Sequence, residues 1–128
     1  MIVALMIGRK GSSGFPNKNL LKIFGKHLCE YPLIAVKKTR MISKIFISTD
    51  CPKIKKITKK YNPVFLDRPK YLATNSALGE EVFKDAYYKI KKHLMGKKVN
   101  LLVLLMANAG TINASLIKKG IKILKKNK

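Results

Sequence analysis

The chain has no tryptophan, two cysteines and six acidic residues in 128 positions. Cys29 and Cys51 show no CxxC spacing, so neither a zinc site nor a disulfide framework is indicated, and ordinary reduced thiols are expected. The scarcity of carboxylates bears on metals as well. Asp50, Asp67, Glu80, Glu81 and Asp85 form no metal-ligand pairing along the sequence, and Glu80 and Glu81 read as the acidic first turn of a helix, where the dipole favours negative charge. Apolar runs long enough to cross a bilayer are also lacking. The opening Met1 to Gly8 (MIVALMIG) is short, follows no basic region and ends at Arg9-Lys10, so it reads as a buried strand of a cytoplasmic protein rather than a leader or an anchor.

What the sequence has in excess is lysine. Lys and Arg number 28 and the formal net charge is +22, which invites a polyanion partner. Only Arg9, Arg40 and Arg68 are arginines, however, and readers of nucleic acid favour Arg for bidentate contacts to phosphate and bases. The lysines are scattered over most of the predicted helices, as on a solvated surface. Nucleic acid is therefore the disfavoured partner, and no membrane partner is implied.

The hydrophobic fraction of 47% and the length fit one globular domain over residues 1–128, able to bury about two thirds of its unfolded surface. Ile2 to Ile7, Lys44 to Ser48 and Asn100 to Met106 are short apolar runs of the kind found in parallel strands covered on both faces, with Pro63 to Leu66 a weaker fourth. Helical patterns separate them. Glu30 to Arg40 accepts Pro32 in its first turn, Asp50 is placed to cap the next helix ahead of Pro52, and Leu78 to Leu94 carries Val82, Ala86, Tyr87 and Ile90 on one face. Ala114 to Lys125 presents Leu116, Ile117, Ile121 and Leu124. Alternating strands and helices predict an α/β fold with a ligand crevice at the carboxyl ends of the strands. Three loops converge there: Gly8 to Asn19, Asp67 to Gly79, and Ala107 to Asn113.

The first loop carries the chemistry. Gly8, Gly11 and Gly14 let the backbone approach an anion so that several N–H groups can point at phosphate oxygens, and Arg9 and Lys18 add positive charge. It is neither a P-loop nor the dinucleotide fingerprint, because GxxxxGK[ST] is absent and the glycines are spaced three and three. His27, after Lys26 in a predicted turn, and His93, near a helix end among lysines, read as exposed or capping histidines.

The string R-x-x-S-x-G-x-P-x-K-N, formed by Arg9, Ser12, Gly14, Pro16, Lys18 and Asn19, resembles the N-terminal signature of acylneuraminate cytidylyltransferases, the CMP-sialic acid synthetase family. Ile45 to Asp50 (IFISTD) is similar to that family's second strand, Arg68-Pro69-x-x-Leu72-Ala73 to its RPxELA segment, and Leu101 to Leu105 to the strand before its third active-site loop. The resemblance spans the chain but only about the first half of a typical member. It implies a Rossmann-like parallel sheet flanked by helices, a truncated nucleotidyltransferase domain.

The activity so implied joins CTP to a nonulosonic sugar, an acidic nine-carbon sugar, with release of pyrophosphate. Magnesium and basic side chains stabilise the charge that builds on the phosphate oxygens. Arg9 and Lys18 carry over as the catalytic triphosphate contacts, and Gly8, Gly11, Ser12, Ser13, Gly14 and Asn19 as the nucleotide-binding loop. Arg68, Ala77 and Gly79 fall on the base side, and Asn108 is placed toward the sugar. The family's metal-binding aspartates come from its C-terminal half, so no metal ligand is assigned in this chain.

Several departures stand out. Ser13 replaces a frequent lysine, Tyr71 and Asn75 replace acidic residues, and Met106 replaces a glutamine. A lost charged phosphate contact forfeits about 1.5–3 kcal/mol; Lys10 is placed to compensate. A homodimer is compatible with the family. A non-catalytic nucleotide- or sugar-binding remnant and a basic nucleic-acid-binding protein stand as alternatives.

Overall fold

The computed structural model of the chain describes residues 1–8, 18–72, 79–107 and 111–127. Four strands, β1 (Ile2–Ile7), β4 (Lys44–Thr49), β5 (Val64–Asp67) and β6 (Leu101–Met106), form one parallel sheet in the order β5-β4-β1-β6. Two short strands, β2 (Lys22–Ile23) and β3 (Lys26–His27), make a separate antiparallel hairpin. The helices are α1 (Glu30–Thr39), α2 (Pro52–Thr58), α3 (Gly79–His93) and α4 (Ala114–Lys126), with 3-10 turns at Lys18–Leu20, Lys59–Tyr61 and Lys70–Leu72.

The strict alternation of a strand divides β1 between two cores. Ile2, Ala4 and Met6 point to one face, where they meet Ile45 and Ile47 of β4, Leu33 and Val36 of α1, Ile54 of α2, and Ile117 and Ile121 of α4. Val3, Leu5 and Ile7 point to the other, with Phe46, Leu66 and the α3 stripe Val82, Ala86, Ile90 and Leu94. Buried on both faces, β1 has no room for polar residues, which is why its sequence is apolar throughout. Pro32 sits at the third position of α1, where a missing N–H removes no helical hydrogen bond.

The parallel sheet and the four helices agree with the sequence expectation, and three details differ. The cap of α2 is Cys51 rather than Asp50 and makes no side-chain hydrogen bond; the Cys51 N–H instead donates to Thr49 Oγ1 at 3.1 Å. On α4, Ile117 and Ile121 are buried, but Leu116 and Leu124 are 57% and 56% exposed, because α4 packs against α1 along a narrower stripe than its composition offers. The hairpin carries no strand signal in the sequence beyond Phe24-Gly25. Both residues have positive φ, 52° and 82°, as a two-residue type I′ turn requires.

No helix among the described residues is long and apolar enough to cross a membrane. Cys29 and Cys51 are free and buried. Burial, reinforced by the negative charge of Glu30, pushes the Cys29 thiol up to about 12, so it stays protonated and unreactive.

Candidate functional site

The chain passes from β1 outward to β4 and β5, then returns to place β6 on the other side of β1. The order thus reverses at β1, and in open α/β sheets it is at such a reversal, outside the carboxyl ends of the strands, that a ligand crevice forms. Gly8 stands at its base. Its N–H donates to Ser48 O at 3.2 Å, while the Ala107 N–H donates to Ile7 O at 3.1 Å, so the ladder continues one residue past the strands on both sides.

Space at Gly8 is what demands glycine. A methyl group added there would stand 2.8 Å from Ala107 Cβ, 3.4 Å from Ile54 Cδ1 and 3.6 Å from Asn19 Nδ2. The loop after β1 therefore leaves Gly8 and comes back to Asn19 beside it, with its two ends pressed together. The returning end is held by backbone: Leu21 N–H donates to Lys18 O, Leu28 N–H to Leu21 O, and Cys29 N–H to Asn19 O, at 3.3, 2.7 and 3.0 Å. Lys18 is exposed in the 3-10 turn at this closure and forms no ion pair among the described residues. A short turn tied at both ends positions a cation without holding it in a competing salt bridge.

Of the residues expected at the site, the structure thus brings Gly8, Lys18 and Asn19 together and adds Ala107 as the contact that closes the base. Arg68 follows β5, two strands from β1, on the order of 10 Å across the sheet; it is half-buried. Gly79 begins α3. That helix is tied to the end of β5 by Lys89, whose Nζ donates to Asp67 O at 2.6 Å and to Asp85 Oδ2 at 3.0 Å. Arg9, Gly11, Ser12, Ser13, Gly14, Ala77 and Asn108 lie outside the described residues.

Ala107 was not predicted as a site residue. Its signal is only its pairing with a glycine across neighbouring strands, which emerges once the register Ile7 opposite Met106 is known. His27, expected to be exposed or capping, is half-buried instead, with Nδ1 3.2 Å from Glu30 Oε2. Among the described residues no group of three His, Cys, Asp or Glu side chains could hold a metal ion.

The family model for cytidylyltransferases matches residues 3–128. The N-acylneuraminate cytidylyltransferase of Escherichia coli O18:K1:H7 is 36% identical over 85 residues, covering 66% of this chain and 20% of that protein. The CMP-N,N'-diacetyllegionaminic acid synthase of Campylobacter jejuni is 31% identical over 93 residues, covering 72% of this chain and 40% of that one. The chain thus spans well under half the length of these relatives. In fold it is similar to a CMP:2-keto-3-deoxy-manno-octonic acid synthetase solved with CTP, with a TM-score of 0.77 at 15% identity over 98% of this chain and 47% of that one. The match of a family model to nearly the whole chain, on a parallel sheet whose order reverses at a glycine-closed loop, places this chain in the cytidylyltransferase family.

Proposed function

We propose that this chain forms the CTP-binding half of a nucleotidyltransferase that moves CMP from CTP onto an acidic, sialic-acid-like sugar and releases pyrophosphate. The observation that carries the reading is the closure of the first loop at the sheet's reversal point. Gly8 lies against Ala107 and Asn19, and Lys18, at the returning end, forms no ion pair among the described residues. Ends anchored in this way fix where the loop starts and returns, and set Lys18 beside the reversal point, where its ammonium group can meet a phosphate chain.

Lys18 and Arg9 act as the triphosphate contacts, stabilising negative charge on the phosphate oxygens as the sugar hydroxyl attacks the α-phosphorus and pyrophosphate leaves. Gly8, Gly11, Ser12, Ser13, Gly14 and Asn19 shape the phosphate and ribose side, Arg68, Ala77 and Gly79 the base side, and Asn108 the sugar side. The sugar class follows the named activities of the relatives in Escherichia coli and Campylobacter jejuni. Magnesium, expected from the family, draws its ligands from outside the described residues.

Calorimetric titration with CTP and ATP tests the binding half of the proposal. Selective CTP binding that weakens about ten- to hundredfold in Lys18→Ala is expected, from the loss of one charged contact of about 1.5–3 kcal/mol. Equal affinity for CTP and ATP, or no change in Lys18→Ala, overturns it. Pyrophosphate release, assayed with magnesium over a panel of nonulosonic acids, then tests turnover. Release with none of them, despite CTP binding, limits this chain to nucleotide binding.

A further inference from the structure

A cavity of about 770 Å³ lies between the hairpin and α2, with Leu20 of the first 3-10 turn in its wall. Its size falls within the range of small-molecule sites, about 300–1,000 Å³. Lys22 and His27 line it from the hairpin, and Lys53, Lys56 and Lys60 from α2 and the 3-10 turn that follows. Leu20 and Ile57 supply its apolar surface.

The cavity is held in shape by Glu30, which also lines it and is 2% exposed. Glu30 Oε2 accepts the His27 backbone N–H at 2.7 Å, while Oε1 accepts the Tyr61 hydroxyl at 2.8 Å and pairs with Lys60 Nζ at 2.7 Å. One carboxylate therefore ties the hairpin, the start of α1 and the turn after α2 into a single frame. It is also the only acidic residue in the lining among the described residues, and its charge is offset by Lys60. Lys22, Lys53 and Lys56 form no ion pair among the described residues.

Three lysines with no ion pair among the described residues thus line one concave space braced by Glu30. We propose that this cavity is a second anion site, separate from the loop after β1, that takes a small phosphate-class anion such as pyrophosphate or a phosphorylated metabolite. The lysines supply the charge, and Leu20 and Ile57 leave room for an organic portion. The cavity's volume suits a small ligand, and its cations are gathered around one hollow rather than strung along a groove that tracks a backbone.

The test is a ¹⁵N chemical-shift titration of the full chain with inorganic pyrophosphate, with phosphorylated and unphosphorylated forms of one sugar, and with a short RNA duplex. Saturable shifts are expected for the amides of residues 22–27 and 53–60, with pyrophosphate and the phosphosugar but not the free sugar. Affinity should fall about tenfold or more in Lys53→Gln/Lys56→Gln and severalfold in Lys22→Gln on the opposite wall. It should hold in Lys125→Gln/Lys126→Gln, at the far end of α4, and in Lys18→Ala. Non-saturating shifts, shifts confined to residues around Gly8 and Lys18, equal loss in the Lys125/Lys126 control, or preference of these amides for the duplex would each overturn the proposal. Lys18→Ala addresses the CTP loop alone, so failure of one site is distinguishable from failure of the other.

Discussion

At the scale of single residues, two positions show backbone and space acting in opposite directions. Gly8 is a glycine because Ala107 leaves it no Cβ. Gly8→Ala should force β1 and β6 apart at the crevice, costing about 1–3 kcal/mol as overpacking does, read as a lowered urea midpoint. The accompanying Ala107→Gly should restore most of that loss by making room for the new methyl. Phe24 is the converse case, a residue out of keeping with its backbone. It is 97% exposed and has a φ of 52°, at the first turn position of a type I′ hairpin that favours Asn. Phe24→Asn should raise stability by about 1 kcal/mol by relieving the left-handed strain, measured as an upward shift of the thermal midpoint. An unchanged or lower midpoint would mean that the phenyl ring makes a contact worth more than the strain.

At the scale of elements, Glu30 joins pieces that are distant in sequence. Burial pushes its carboxyl upward, but Lys60, the His27 backbone N–H, the Tyr61 hydroxyl and the His27 ring outweigh that and bring it down to about 2. A carboxylate whose folded value lies below its unfolded one stabilises the fold fully above about pH 4.5 and loses that contribution as pH falls through about 2. Lys60 is 60% exposed, so its share is screened, and about 2–3 kcal/mol is the scale expected at neutral pH. Glu30→Gln should therefore be less stable at pH 7 by that amount and should match the native chain near pH 2. A urea series at the two pH values checks this; a constant gap between them would show that shape rather than charge was lost.

At the scale of the whole molecule, coverage of the sheet is uneven. α1, α2 and α4 cover one face, while α3 alone packs on the other and reaches β1, β4 and β5. The outward residues of β6 are left exposed, Leu104 at 46% and Met106 at 49%, and α4 adds the exposed Ile123 together with Leu116 and Leu124, which line an open cavity beside Leu101 and Val103 of β6. Apolar exposure of this kind on an edge strand favours association once charge repulsion is removed. In about 0.5 M salt, where the Debye length falls to about 4 Å, the repulsion arising from a net charge of +22 is largely screened. The chain should then self-associate by sedimentation velocity, and Leu104→Lys/Met106→Lys should return it to a monomer. Association unchanged in the double variant would assign it to another surface.

The alternation of apolar strands with amphipathic helices was legible in the sequence because burial on both faces of β1 and β4 leaves them apolar, and because the apolar stripe of α3 recurs at helical spacing. The glycines and cations of the first loop stand out by residue type as well, but Arg9 to Asn17 lie outside the described residues, and of that loop the structure bears only on Gly8, Lys18 and Asn19. Other features depend on residues that meet only after folding. Asp50 looked like a cap, yet α2 starts one residue later, with Cys51 at the cap position and its N–H donating to Thr49 Oγ1. Leu116 and Leu124 looked like core, yet how wide a stripe α4 buries depends on where α1 lies. Composition and spacing by themselves determined the α/β class, because burial on both faces leaves strands apolar and one-sided burial gives helices an apolar stripe. Only the tertiary structure decided that Gly8 closes against Ala107, that Glu30 braces the hairpin to the turn after α2, and that three lysines surround one cavity, because each joins groups that sequence separation leaves unrelated.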